Sequence, residues 1–453
     1  MNAPATQVRK LTTAEQLLAH LDGLGVSLPF VPEPPAEHAD HYAILPMEGW
    51  DATPDGRPTD LVRRRWERFG TSGAGLVWGG EAVAVREDGR ANPHQLLIGP
   101  EVGELRELAA AGGAKVGLQL THSGRFSVAG PLAAYEHPVL DRRAPGGSVR
   151  VLTDGELDDL AGAFGRAAAV AVEAGFDFVD VKACHGYLGH ELLSAVDRPP
   201  PYGGPSLPAR ATFLRRCIEE VVAAAPGLEV GVRFSAFDLV PHRPAEGTSI
   251  GEPDPDAPMP YRYAFGGDGT GVGVDLTEPR ALLDLLADEL GVRLVCVTAG
   301  SPYYVPHVQR PAFFPPSDGY LPPEDPLVGV ARLLAATAEL AAARPDVTIV
   351  GTGYSYLQEW LPHVAAGVLA AGGASWIGLG RMALSYHDLP ADLRAGRGLD
   401  RRRICRTFSD CTTAPRNGLV SGCWPLDPFY KLRPDRGALA AAKKAGRAPV
   451  ADA

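Results

Sequence analysis

Between Lys182 and His190 the chain crowds an amine, a thiol, two imidazoles and a phenol into nine positions: Lys182, Cys184, His185, Tyr187 and His190. Such groups donate hydrogen bonds and carry protons, so together they suit stabilisation of a developing negative oxygen or movement of a proton. They follow Phe178-Val179-Asp180-Val181, a short strand-forming run after Gly175, and precede Leu188, Leu192, Leu193 and Val196 at helical spacing. In α/β barrels and sheets, ligands bind beyond the carboxyl ends of the strands. The cluster is therefore the candidate active site.

A second chemistry is written near the end of the alternating segments. Gly351-Thr352-Gly353 and Gly378-Leu379-Gly380-Arg381 follow two short apolar runs. Barrels often seat a phosphate between the loops after strands seven and eight, where glycines let backbone N–H groups approach and an arginine adds a forked donor. One such turn is only a turn; two at matching strand ends predict a phosphate site.

These positions require a scaffold of alternating strands and helices. Predicted strands are 42–45, 75–78, 115–120, 178–181, 228–234, 293–297, 347–350 and 376–379. Between them lie helical stripes such as Leu61, Val62, Trp66 and Phe69, ending at Gly70, and Leu357, Leu361, Val364 and Val368. Thr153-Asp154-Gly155-Glu156 has the pattern of a capping box, and the stripe that contains Cys217 puts that thiol in the core. Eight such units predict an α/β fold, a (β/α)8 TIM barrel over residues 41–400. Residues 1–40 read as an N-terminal arm, with a helix near Ala14 to Leu21, and 401–453 as a C-terminal appendage. A proline-rich insertion at about 236–273 is long enough to be functional or disordered.

The formal net charge of −11 argues against nucleic acid as a partner. No run of eighteen apolar residues predicts a membrane span, and the N-terminus lacks a signal-peptide pattern. Six scattered cysteines fit a reducing compartment, so a cytoplasmic protein is expected.

Lys182-Ala183-Cys184-His185-Gly186-Tyr187-Leu188, followed by Tyr202-Gly203-Gly204, resembles the strand-four motif and turn of the old yellow enzyme family of FMN-dependent ene-reductases. The first position departs, with lysine for histidine. The resemblance runs from about Tyr42 to Arg381. It implies that Gln119 hydrogen-bonds the flavin pyrimidine, that Arg233 lies beside the flavin N1 and C2 carbonyl, and that Pro46, Met47 and Gly79-Gly80 line the isoalloxazine edge. Gly353, Gly380 and Arg381 would take the phosphate.

The implied reaction passes hydride from NADH or NADPH through FMN to an activated C=C bond of an enone, a dienoyl compound or a similar conjugated substrate. Lys182 and His185 would anchor the substrate oxygen, and Tyr187, a phenol protonated at neutral pH, would supply the proton. Trp50, Tyr303 and Tyr304 could wall the pocket. Lys182 has an alternative partner in Glu48, in the loop after the first strand. A flavin-dependent dehydrogenase or double-bond isomerase is a second reading, and a non-catalytic flavin-binding or assembly subunit a third. A homo-oligomer is compatible with all three.

Larger members of the family carry four cysteines for an iron–sulfur cluster just past the barrel. Here Cys405, Cys411 and Cys423 stand at related positions, but Phe408 occupies the place of the second ligand. Four thiolates normally hold such a cluster. The sequence therefore predicts a vestige with reduced thiols and no metal, and electrons arriving from a diffusing nicotinamide.

Overall fold

Parallel pairing in register turns the short apolar runs into a closed ring. In the computed structural model, which describes residues 6–99, 102–144, 147 and 149–445, the first strand, Tyr42–Ile44, pairs with both Leu76–Val77 and Trp376–Leu379. The ring continues through Lys115–Thr121, Phe178–Ala183, Glu229–Ser235, Leu294–Thr298 and Thr348–Gly351, each parallel to its neighbours. The second strand is broken: after Gly79-Gly80 it resumes as Ala82–Ala84, still paired to the third. Eight parallel staves close the (β/α)8 barrel.

Side-chain alternation sends every second residue of a stave into the barrel. Phe178, Asp180 and Lys182 of the fourth stave lie level with Gly117, Gln119, Gly231 and Arg233 of its neighbours. At the floor, the Trp78 and Phe178 rings meet edge to face at 5.3 Å. A side chain at Gly117 would collide with the Phe178 ring, which is why a glycine stands there. The apolar floor leaves the upper layers free for polar groups.

Outside, the helix Asp154–Ala174 begins with a complete capping box between Thr153 and Glu156 and stops at left-handed Gly175. It packs on Thr212–Ala224, whose Cys217 is buried. The helix Pro326–Ala343 is apolar enough to cross a bilayer, at a mean hydropathy of 1.4. Here it buries Leu327, Val330, Leu333 and Leu340, and its Arg332 pairs with Glu324.

Several sequence expectations need correction. The helix after Tyr187 is only Leu188–Leu193, leaving Val196 outside. The stripe from Leu357 to Val368 is two helices, because Gln358 adopts φ 53° and breaks the ladder before Leu361–Ala370. The insertion is folded, with a two-stranded antiparallel ribbon of His242–Pro244 and Gly251–Pro253.

Arm and tail are also bound to the barrel. In the arm, Leu17 and Leu21 of Ala14–Gly23 are buried, and the Leu11 carbonyl accepts from Trp360 Nε1 at 2.9 Å. The tail is no loose appendage, for residues 407–416 lie against the loop after the sixth strand. There Arg310 donates to Thr412 Oγ1 and, at 3.2 Å, to Ser409 Oγ, while Thr413 Oγ1 accepts from Ser317 N. The outermost residues of both segments, 1–5 and 446–453, fall outside the described residues.

Candidate active site

The polar layers of the barrel open into a cavity of about 190 Å³. Pro46, Met47, Gln119, Lys182, His185, Tyr187, Arg233, Gly353, Gly380 and Arg381 all line it. Gly79 and Gly80, expected at the isoalloxazine edge, do not line the cavity; Gly80 stands behind the wall. Its carbonyl accepts from Met47 N at 3.0 Å, and any side chain on it would strike Trp66. Gly80 thus shapes the Pro46–Met47 loop from the rear.

Asp180 organises the middle layer. Its buried carboxylate accepts from Trp78 Nε1 at 2.7 Å, Gln119 Nε2 at 2.5 Å and the Arg233 backbone N–H at 2.7 Å. Burial pushes this carboxyl's pKa upward, and the bonds from Gln119 and Trp78 oppose the shift. With one N–H of its amide committed to Asp180, Gln119 has its second N–H and its amide oxygen left for other partners. Nothing in the spacing of the sequence marked Asp180 for this task.

The turn after the fourth strand is held in an uncommon backbone form. His185 and Gly186 are both left-handed, at φ 66° and 79°. For a residue with a Cβ this costs on the order of 1 kcal/mol. The turn is secured by His185 N donating to Ser235 Oγ at 3.2 Å and Gly186 N to His190 Nδ1 at 2.8 Å. His185 Nε2 lies 3.2 Å from Gln309 Nε2 and 3.4 Å from Thr298 Oγ1. Burial, with the charges of Arg233 and Lys182, holds this imidazole well below its ordinary pKa. His185 therefore meets a ligand as a neutral imidazole.

Lys182 turns toward the first-strand loop. Its Nζ is 2.7 Å from Glu48 Oε1 and 4.0 Å from the centroid of the Tyr187 ring. Tyr187 donates to Glu48 Oε2 at 3.1 Å, and its hydroxyl is 3.0 Å from that of Tyr303. Burial first, then the Glu48 charge, raises the Tyr187 pKa well above the usual phenol value. The loop carrying Glu48 is braced from behind, where buried Arg65 bridges Asp51 and Glu81. Removing one partner of such a buried pair costs roughly 3–5 kcal/mol.

Of the three aromatics expected at the wall, Trp50 and Tyr303 line the cavity, and Tyr303 stacks on Phe126 at 3.9 Å. Tyr304 instead turns away and donates to Asp238 at 2.6 Å. Residues that sequence reasoning missed complete the rim: Gln309, Arg310, Thr412 and Arg416. Arg416 pairs with Asp318 at 2.7 Å and lies 5.7 Å over the Tyr303 ring. No motif announced them, since loop and tail meet only after folding.

The residues fit a flavin mononucleotide. Arg233 Nε and Arg381 Nη1 are buried N–H groups without a hydrogen-bond partner, on two guanidinium groups that face the same cavity. Buried donors are rarely left unpaired unless a ligand or water serves them. At Gly380 an added Cβ would meet only Met47 Sδ, at 3.4 Å, so the backbone there is open to a group such as a phosphate. Behind Arg381, Cys405, Cys411 and Cys423 share a second, smaller cavity with Phe408. Burial raises the thiol pKa of Cys405 and Cys423.

Comparison with known proteins agrees with this geometry. Residues 46–247 match the NADH:flavin oxidoreductase / NADH oxidase family. An NADPH dehydrogenase of Listeria monocytogenes is 36% identical over 192 residues, covering 41% of this chain and 55% of the relative. The chain spans about half the length of the curated relatives it matches. Among solved structures, a 2-naphthoyl-CoA reductase in complex with 2-naphthoyl-CoA aligns with a TM-score of 0.65 at 17% identity, over 86% of this chain and 55% of that one. The old yellow enzyme homologue of Zymomonas mobilis aligns with a TM-score of 0.55 at 21% identity, over 79% and 89%. At these identities the structural likeness speaks for the barrel fold. The loops of Gly353 and Gly380 lie beyond the matched residues, so their assignment rests on geometry.

Proposed function

We propose, from the match of residues 46–247 to the NADH:flavin oxidoreductase / NADH oxidase family, that this chain binds FMN and uses NADH or NADPH to reduce a conjugated carbonyl compound. The observation that carries the reading is the pair of unpartnered guanidinium N–H groups, on Arg233 and Arg381, in one cavity with His185 and Tyr187. Arg381 with the Gly353 and Gly380 turns would hold the phosphate. Gln119 Oε1 and Arg233 would meet the pyrimidine edge, the arginine favouring a flavin that gains negative charge. FMN, when bound, supplies a two-electron hydride carrier.

The remaining work falls to the chain. His185 donates to the substrate oxygen and polarises the alkene, as oxyanion-hole donors do. Lys182 adds positive charge to the same wall. Tyr187 holds the proton that the α-carbon receives, and Trp50 and Tyr303 flank a planar ligand. The three tail cysteines serve as packed thiols, because Phe408 fills the place a fourth ligand would need; iron and acid-labile sulfide in anaerobic preparations would contradict that.

Anaerobic addition of NADH or NADPH to the yellow protein should bleach the flavin, and 2-cyclohexen-1-one should restore the colour. Purified protein that is colourless and takes up no FMN would sink the proposal.

A further inference from the structure

We propose that Glu48 is a proton-relay group acting through Tyr187, and that the pair allows this site to exchange the α-protons of a bound ketone with water without net redox change. The inference rests on the reading that the cavity takes a carbonyl compound. It adds an activity distinct from alkene reduction.

The placement of the proton is the first argument. Tyr187 donates to Glu48 Oε2 at 3.1 Å, while Glu48 Oε1 is bound to Lys182 Nζ at 2.7 Å. With Tyr303 as donor at 3.0 Å, the Tyr187 oxygen retains one free lone pair. A phenol held in this way is arranged to receive a proton on its oxygen as it passes its own to the carboxylate.

Access to water is the second. The Lys182 side chain is 2% exposed and the Tyr187 residue 2%, whereas the Glu48 side chain is 23% exposed. Glu48 is thus the route by which a buried phenol reaches solvent protons. Burial first, and then the Glu48 charge, disfavours a free Tyr187 phenolate, which favours moving the two protons together.

Charge balance is the third. In the step, an α C–H bond breaks, its proton goes to Tyr187 Oη, and the Tyr187 proton goes to Glu48 Oε2. The C–H electron pair forms the enolate C=C and its oxygen takes the negative charge. Glu48 is then neutral, and Lys182, on the same cavity wall, exchanges one anionic neighbour for another. Neutral Glu48 exchanges its proton with water and then, in a double transfer, trades that solvent-derived proton for the α-proton on Tyr187 Oη; reversal of the first step returns the solvent-derived proton to carbon, restores the ketone and leaves Glu48 an anion. No oxidant or reductant enters the balance. The other groups that face Glu48 electrostatically are Arg233, Cys184 and Tyr303.

The test uses the oxidised FMN holoenzyme, without nicotinamide, and cyclohexanone in D2O, followed by loss of the α-proton NMR signal. The expected result is exchange faster than with heat-inactivated protein, at least tenfold slower in Glu48→Gln and Tyr187→Phe, and partly recovered in Glu48→Asp. Wild-type exchange no faster than the blank, or Glu48→Gln exchanging like the parent, would overturn the relay. If the Gln variant loses flavin, Glu48→Asp carries the test: a displaced pH–rate profile supports the relay and an undisplaced one overturns it. Flavin bleaching by NADPH in the same preparation separates the two ideas. Bleaching without exchange rejects the relay alone, and exchange without bleaching rejects the reductase reading alone.

Discussion

Lys182 Nζ and Glu48 Oε1 meet at 2.7 Å although 134 residues separate them. The pair joins the fourth strand to the first-strand loop at the cavity wall. The lysine side chain is buried and the carboxylate half-buried. Replacing lysine by a neutral chain leaves the Glu48 charge facing the ligand. Lys182→Met is expected to bind a phenolate such as that of p-chlorophenol about tenfold more weakly or worse, near 1.4 kcal/mol, and to retain FMN. Titration of the flavin spectrum checks this, and unchanged affinity and turnover would confine the lysine to a structural ion pair.

The two cavity arginines should separate by function. Arg381→Ala removes a donor from the proposed phosphate site and should lower FMN occupancy after dialysis. Arg233→Ala removes a positive charge from the proposed pyrimidine side. Its flavin should be harder to reduce, with a midpoint potential lower by on the order of 30 mV or more, the two-electron equivalent of 1.4 kcal/mol. Flavin content and redox titration check each; a potential shift in neither variant would dissociate Arg233 from the flavin.

Tyr187→Phe should slow the alkene half-reaction about a hundredfold, the range of general acid catalysis, and flavin reduction by nicotinamide far less. Stopped-flow traces of the separate half-reactions measure the ratio. Equal slowing would remove Tyr187 from the proton-donor role.

Asp238 should give the fold a pH dependence. Burial raises its carboxyl to about 7, against about 3.9 in an unfolded chain. Between those values the folded state binds the extra proton, so this group's contribution to stability is full below about 4 and is lost as pH rises toward 7. His190 Nε2 lies 3.8 Å away, but burial holds that imidazole at about 3, below the window. Asp238→Asn, which can still accept from Tyr304, should flatten the fall of Tm between pH 5 and 7.5. Parallel Tm profiles for the two proteins would refute the assignment.

Local patterns determined the scaffold and half of the site. Short β-branched runs and helical stripes declared eight βα units because period and length are properties of neighbouring residues. The donors of the turn after strand four, and the glycines after strands seven and eight, could be read for the same reason: strand ends are where barrels bind ligands. What the tertiary structure alone decided depends on closure and register. Closure paired Lys182 with Glu48, an alternative the sequence had left open, and brought Tyr187 to the same carboxylate. Register stacked Gln119 and Arg233 around Asp180, and the broken second strand set Gly80 behind the wall rather than in it. Arg310 drew the tail over the rim through Ser409 and Thr412, some hundred residues away. Spacing along the chain cannot encode such contacts, because they exist only when distant strand ends are brought to one mouth.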